Sequence, residues 1–128
     1  MFRRIVVSIT VLFLILLAPL WPQEQPPQFE GNPIYRVGNG VTPPKLVHDV
    51  DPAYPKKARK NRIQGTVILK VIVAPDGKPH DIRVDKGVGY GLDEEAIKTV
   101  QKWRFQPSLR DGQPVAVQIN VEVAFRLY

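Results

Sequence analysis

The chain has no cysteine among its 128 residues. That excludes disulfide bonds, thiolate nucleophiles, thiolate metal sites and a lipid anchor on cysteine. The absence suits an oxidising compartment without proving one. Histidine is scarce as well, with only His48 and His80. His48 lies near Asp49 and Asp51, but a metal needs about three or four converging groups, and this proline-flanked loop offers no others in view. Glu94 and Glu95 are adjacent on an expected helix, so their side chains diverge and serve its N-terminal dipole. No nucleophile–base pair, phosphate loop or paired carboxylate stands out. The expectation is a protein that is not an enzyme, with no catalytic residue, cofactor or metal site.

A long apolar run is also missing. Met1-Phe2-Arg3-Arg4 leads into an apolar stretch from Ile5 to Leu17, interrupted only by Ser8 and Thr10. A spanning helix takes about 20 residues and this run is shorter, whereas a basic start followed by a brief apolar run is the pattern of a secretory signal. Leu16-Leu17-Ala18-Pro19 is the nearest approach to a cleavage site, and its proline spoils it. A cleaved signal and a short membrane anchor both stay open for residues 1–20. Either puts the rest of the chain in the periplasm, exported or held at the inner membrane.

Proline, by contrast, is abundant. Of 13 prolines, nine fall between Pro19 and Pro55. Proline fixes φ and removes a donor, so helix or sheet is not expected to propagate there. Residues 21–44 therefore read as a linker stiffened toward polyproline II, and the stretch from Pro19 to Pro44 reaches at most about 80 Å at ~3.1 Å per residue. Residues 45–128 read as one folded domain.

The formal net charge is +6, and much of the excess lies in Lys56-Lys57-Ala58-Arg59-Lys60-Asn61-Arg62. A solvated helix face is the plain reading of such a run. The basic surface Lys56, Lys57, Arg59, Lys60 and Arg62 could also meet a membrane, a cell-wall polymer or an acidic protein. Nucleic acid is not expected, because no aromatic residue is interleaved with the run.

Periodicity supplies the architecture. Pro55 suits a first helical turn, good helix formers follow over residues 56–64, and Gly65 offers a stop. Residues 66–74 are rich in β-branched side chains and read as a strand buried on both faces. Pro75-Asp76-Gly77-Lys78 reads as a hairpin turn, returning through a strand over residues 80–84. The glycines between Gly87 and Gly91 read as a flexible connection. Leu92, Ala96, Val100 and Trp103 recur at helical spacing, which predicts a helix over 92–104 with Asp93 as its cap. From Val115 to Leu127 every odd position is apolar, a strict period-two strand with one buried face. The expected fold class is α+β, in the order α-β-β-α-β: a three-stranded antiparallel sheet with two helices on one face.

These residues, in order, resemble the TonB C-terminal family. The resemblance is carried by Asp51-Pro52-Ala53-Tyr54-Pro55, Ala58, Gly65-Thr66-Val67, Pro75-Asp76-Gly77, Leu92-Asp93-Glu94-Glu95-Ala96, Trp103-Arg104-Phe105-Gln106-Pro107 and Gly112-Gln113-Pro114-Val115. It covers about residues 43–128 and implies a docking function. Domains of that family receive a short segment, the TonB box, from an outer-membrane transporter, as a strand added beside the last strand. Carried onto this chain, the partner-binding residues are Val115, Val117, Gln118, Ile119, Asn120, Val121, Glu122 and Val123. Asp51 and Pro52 are added, where the family has Gln-Pro. The implied partner is a transporter segment or another envelope protein, with a homodimer through the same edge as an alternative. The chain departs from the family in having no histidine in its apolar run and in its short spacer.

Overall fold

The computed structural model describes Pro22 and residues 25–128. The signal or anchor expected over residues 1–20 lies outside the described residues. Among those described, no helix is long and apolar enough to cross a membrane.

The proline-rich segment carries more structure than composition predicts. Gln28–Phe29 (β1) and Asn32–Pro33 (β2) close a small hairpin. Its two-residue turn has positive φ at Glu30 and Gly31. Phe29 packs on His80 with ring centroids 4.8 Å apart, so His80 is not the freely solvated strand start that its polarity suggests. Val41 is buried in the main core. Packing onto the domain therefore begins ahead of residue 45. Proline stops ladders from propagating, but it does not prevent two-residue pairings or a single apolar anchor.

Lys45–His48 (β3) leads to a short helix, Lys56–Lys60 (α1), with Pro55 as its N-cap. The helix ends at Asn61, and Arg62 turns the chain with a φ of 51°. Gly65 is thus not a helix stop; it opens Gly65–Val73 (β4). After the turn at Pro75–Gly77, Pro79–Lys86 (β5) returns antiparallel to β4. The glycine connection that follows is pinned. The Asp93 carboxylate accepts the N–H groups of Val88, at 2.8 Å, and Gly89, at 3.2 Å. Asp93 therefore closes this loop, and Gly91 is the N-cap of Leu92–Gln101 (α2).

The second helix ends earlier than its spacing predicts. Arg104–Gln106 (β6) leaves it to pair with β3, and Trp103 donates its indole N–H to the Val50 carbonyl at 3.0 Å. Ser108–Arg110 (β7) and Gln113–Val115 (β8) form a further hairpin, and Val117–Phe125 (β9) closes the fold.

The main sheet has the order β5-β4-β9, antiparallel throughout. Val67, Leu69, Val71 and Val73 of β4 and Val117, Val121, Val123 and Phe125 of β9 point to one face, where α1 contributes Ala58 and α2 contributes Leu92, Ala96 and Val100. The expected α+β fold, two helices on one face of a three-stranded antiparallel sheet, is what forms. The other face of β4 is only partly covered: Lys70 is exposed and Ile72 buried. Its β-branched richness thus overstates two-sided burial.

Candidate functional site

The sheet has two edges, and they differ. Along β5 the register with β4 shifts twice, once between Ile68 and Leu69 and once between Lys70 and Ile72. Asp81 takes a φ of 47°. Asp81, Arg83, Asp85 and Lys86 are all exposed along it. Bulges and charge are how proteins protect an edge from pairing. Along β9, nine residues pair one to one with β4, from Val117 opposite Val73 to Phe125 opposite Gly65, without a shift.

Backbone direction fixes which groups of β9 are free. Gln118 donates its N–H to the Tyr35 carbonyl at 3.0 Å, on the side away from β4. Outward- and inward-pointing peptide groups alternate along an antiparallel ladder. The N–H and C=O groups of Asn120, Glu122 and Ala124 therefore also point outward, while Ile119, Val121 and Val123 spend theirs on β4. Among the described residues no other strand pairs with that outer side beyond Tyr35.

The residues expected to bind a partner divide accordingly. Asn120 and Glu122 lie on the open edge and Gln118 where Tyr35 closes it, all with side chains on the helix-free face, and Ile119, Val121 and Val123 back them from the core side. Val117 sits beside Tyr35, in a parallel bridge. Val115 belongs to β8, paired with Ser108. The long strand expected from 115 to 127 is thus broken at Ala116, which is buried and whose carbonyl accepts the Tyr35 N–H at 2.9 Å. Asp51 is exposed and Pro52 half-buried in the loop ahead of α1, and no hydrogen bond joins either of them to β9.

The basic surface gains a member. Lys56, Lys57, Arg59, Lys60 and Arg62 are all exposed. Arg59 and Arg62, with Tyr54 and Gln64, line a cleft of about 640 Å³ whose other wall is Arg126 and Tyr128, beyond the end of β9. Among the described residues none of these guanidinium groups forms an ion pair. Tyr54 braces the cleft floor: its hydroxyl donates to the Ile63 carbonyl, its ring meets Phe125 edge-on at 5.8 Å, and the Arg59 guanidinium lies 5.7 Å from its centroid. Sequence reasoning passed over Arg126 and Ala124. Both are the outward members of the last strand's alternation, and that was the signal available.

Residues 50–127 match the family described as Gram-negative bacterial TonB protein C-terminal. The chain belongs to this family. Among its relatives, TonB of Vibrio cholerae is 35% identical over 89 residues, covering 68% of this chain and 36% of that protein. TonB of Neisseria meningitidis serogroup C is 37% identical over 78 residues, covering 60% and 25%. The solution structure of the Pseudomonas aeruginosa TonB C-terminal domain superposes with a TM-score of 0.55 at 28% identity, over 70% of this chain and 89% of that one. The chain thus spans about a quarter to a third of the length of its TonB relatives. The family match begins at residue 50, so Tyr35, packed against the start of β9, lies ahead of it.

Proposed function

We propose that this domain docks a short extended segment of an outer-membrane transporter, or of another envelope protein, as an added strand on the open edge of β9. The work is done in the periplasm as part of TonB-dependent transport, with residues 1–20 serving for export or for anchoring in the inner membrane. The protein acts by binding and is not an enzyme. The observation that carries this reading is the regular, outward-facing run of peptide groups at Asn120, Glu122 and Ala124, on a sheet whose opposite edge is bulged and charged. An incoming strand satisfies such groups with main-chain hydrogen bonds and takes specificity from alternate side chains. Membership of the TonB C-terminal family supports the same assignment.

Immobilised full-length protein, exposed to a detergent extract of outer membranes, tests it. Glu122→Pro is the informative variant, because it removes an outward N–H and leaves the ladder to β4 in place. Transporters are expected on the parent protein and at least tenfold less on Glu122→Pro. Equal capture by both sinks strand addition.

A second reading rests on the cleft of Arg59, Arg62 and Arg126: an envelope-associated module that holds an acidic partner through its basic helix, without energy transduction. Capture that survives Glu122→Pro but is lost at about 0.5 M salt, where the screening length falls to roughly 4 Å, supports this reading instead.

A further inference from the structure

Residues 28–42 precede the stretch matched by the family, which begins at residue 50, yet they bear directly on the docking edge. Tyr35 runs parallel to β9 opposite Val117. It donates its N–H to Ala116 at 2.9 Å and accepts the N–H of Gln118 at 3.0 Å. Its ring is held as well. The Arg110 guanidinium lies 4.8 Å from the ring centroid and donates to the phenol oxygen at 2.8 Å.

The segment is fastened on both sides of this point. Ahead of it, the hairpin carrying Phe29 rests on His80. Behind it, Val41 is buried in the core, the Thr42 N–H bonds the Leu109 carbonyl at 2.9 Å, and the Thr42 hydroxyl accepts the Leu109 N–H at 2.9 Å. Past Tyr35 the chain bends away through Gly38 and Gly40, both at positive φ, and leaves the remainder of β9 open.

We propose that Tyr35 is a register stop: it closes the ladder at Ala116 and Gln118 and confines a docked strand to the stretch from Asn120 to Ala124. This inference rests on the strand-docking reading given above. The physical need for a stop follows from the pleat. A one-residue slip turns every side chain of an added strand to the wrong face and is self-correcting, whereas a two-residue slip keeps every side chain on its own face. The buried valines at 117, 121 and 123 repeat across such registers, which leaves discrimination to Gln118, Asn120 and Glu122 alone. A fixed residue at one end removes the degeneracy. The stretch it leaves is about 13 Å long at ~3.3 Å per residue, which suits a segment of about five residues.

The absence of cysteine from the chain makes register directly measurable. Single cysteines are introduced in the full-length protein as Gln118→Cys or Glu122→Cys, and each is exposed to an end-blocked peptide Thr-Val-Cys-Val-Thr with an activated disulfide on its cysteine. With Tyr35 intact, cross-linking at Glu122→Cys is expected to exceed that at Gln118→Cys at least tenfold. Adding Tyr35→Pro, which removes the N–H given to Ala116, is expected to bring Gln118→Cys up to the level of Glu122→Cys. Arg110→Ala loosens the ring without touching the backbone of either strand and is expected to move the ratio the same way, which guards against a proline variant that fails to fold. Equal cross-linking at both sites with Tyr35 intact overturns the stop, and so does a ratio unchanged in both variants. Cross-linking at neither site in any background means that no strand docks on β9; the parent reading then falls, and the stop with it.

Discussion

At Gly77 the backbone holds a φ of 82°, and a methyl group there would meet the Phe105 carbonyl oxygen at 2.0 Å. Gly77 also accepts the Phe105 N–H at 2.9 Å, so this turn is welded to β6. Gly77→Ala combines left-handed strain with a backbone clash. It is expected to cost about 2–4 kcal/mol, read from the midpoint of urea unfolding at unchanged slope. The Pro75-Asp76-Gly77 triplet announces the turn and its positive φ; its contact with Phe105 is 28 positions away in sequence and has no local sign. Asp93 illustrates the converse. It stands where a helix cap is expected, but its carboxylate reaches back to Val88 and Gly89. Asp93→Ala is expected to cost about 1–3 kcal/mol and to speed amide exchange at Val88 and Gly89 ahead of the rest of α2.

Individual strands respond to substitution according to which way their peptide groups point. Val121 is buried and faces Leu69 in the ladder, so Val121→Pro removes a hydrogen bond inside the sheet and is expected to cost about 3 kcal/mol or more. Glu122→Pro removes only an outward N–H and is expected to cost less than about 1 kcal/mol. Thermal unfolding of the pair, side by side, checks the assignment of outward groups along β9; equal losses would contradict it. The last strand was the most legible element of the sequence, because period-two alternation reports one buried face without reference to anything else. Its break at Ala116 was hidden, since the residue that pairs there, Tyr35, comes from a segment whose proline content argues against pairing. Likewise, Trp103 keeps helical spacing with Val100. Yet the chain leaves the helix after Gln101 because β3 offers Arg104–Gln106 a partner, a tertiary cause that no local pattern carries.

The whole molecule is a small sheet with one protected edge, one open edge and a basic cleft at the end of the open one. Lys56, Lys57, Arg59, Lys60 and Arg62 lie on its surface without ion pairs among the described residues. Replacing all five by glutamine is therefore expected to leave unfolding within about 0.5 kcal/mol per site while flattening the salt dependence of partner capture, measured by titrating salt during the capture. A loss of capture that is independent of salt would instead mean that the helix itself had been disturbed. The sheet, the helices and the basic run were all readable from periodicity and composition. The cleft was not, because it joins α1 to a residue more than 60 positions away, Arg126. Only the folded chain brings them together.

Tyr35 also decides how a mechanical load enters the domain. A chain hinged at residue 45 would deliver tension to the short β3, which pairs with β6 and not with β9. Here a pull from the N-terminal side loads the Phe29 hairpin on His80 and then Tyr35, whose two backbone bonds pass the strain to Ala116 and Gln118 at the start of β9. If a segment docks on β9 as proposed, that load and the docked segment share one strand.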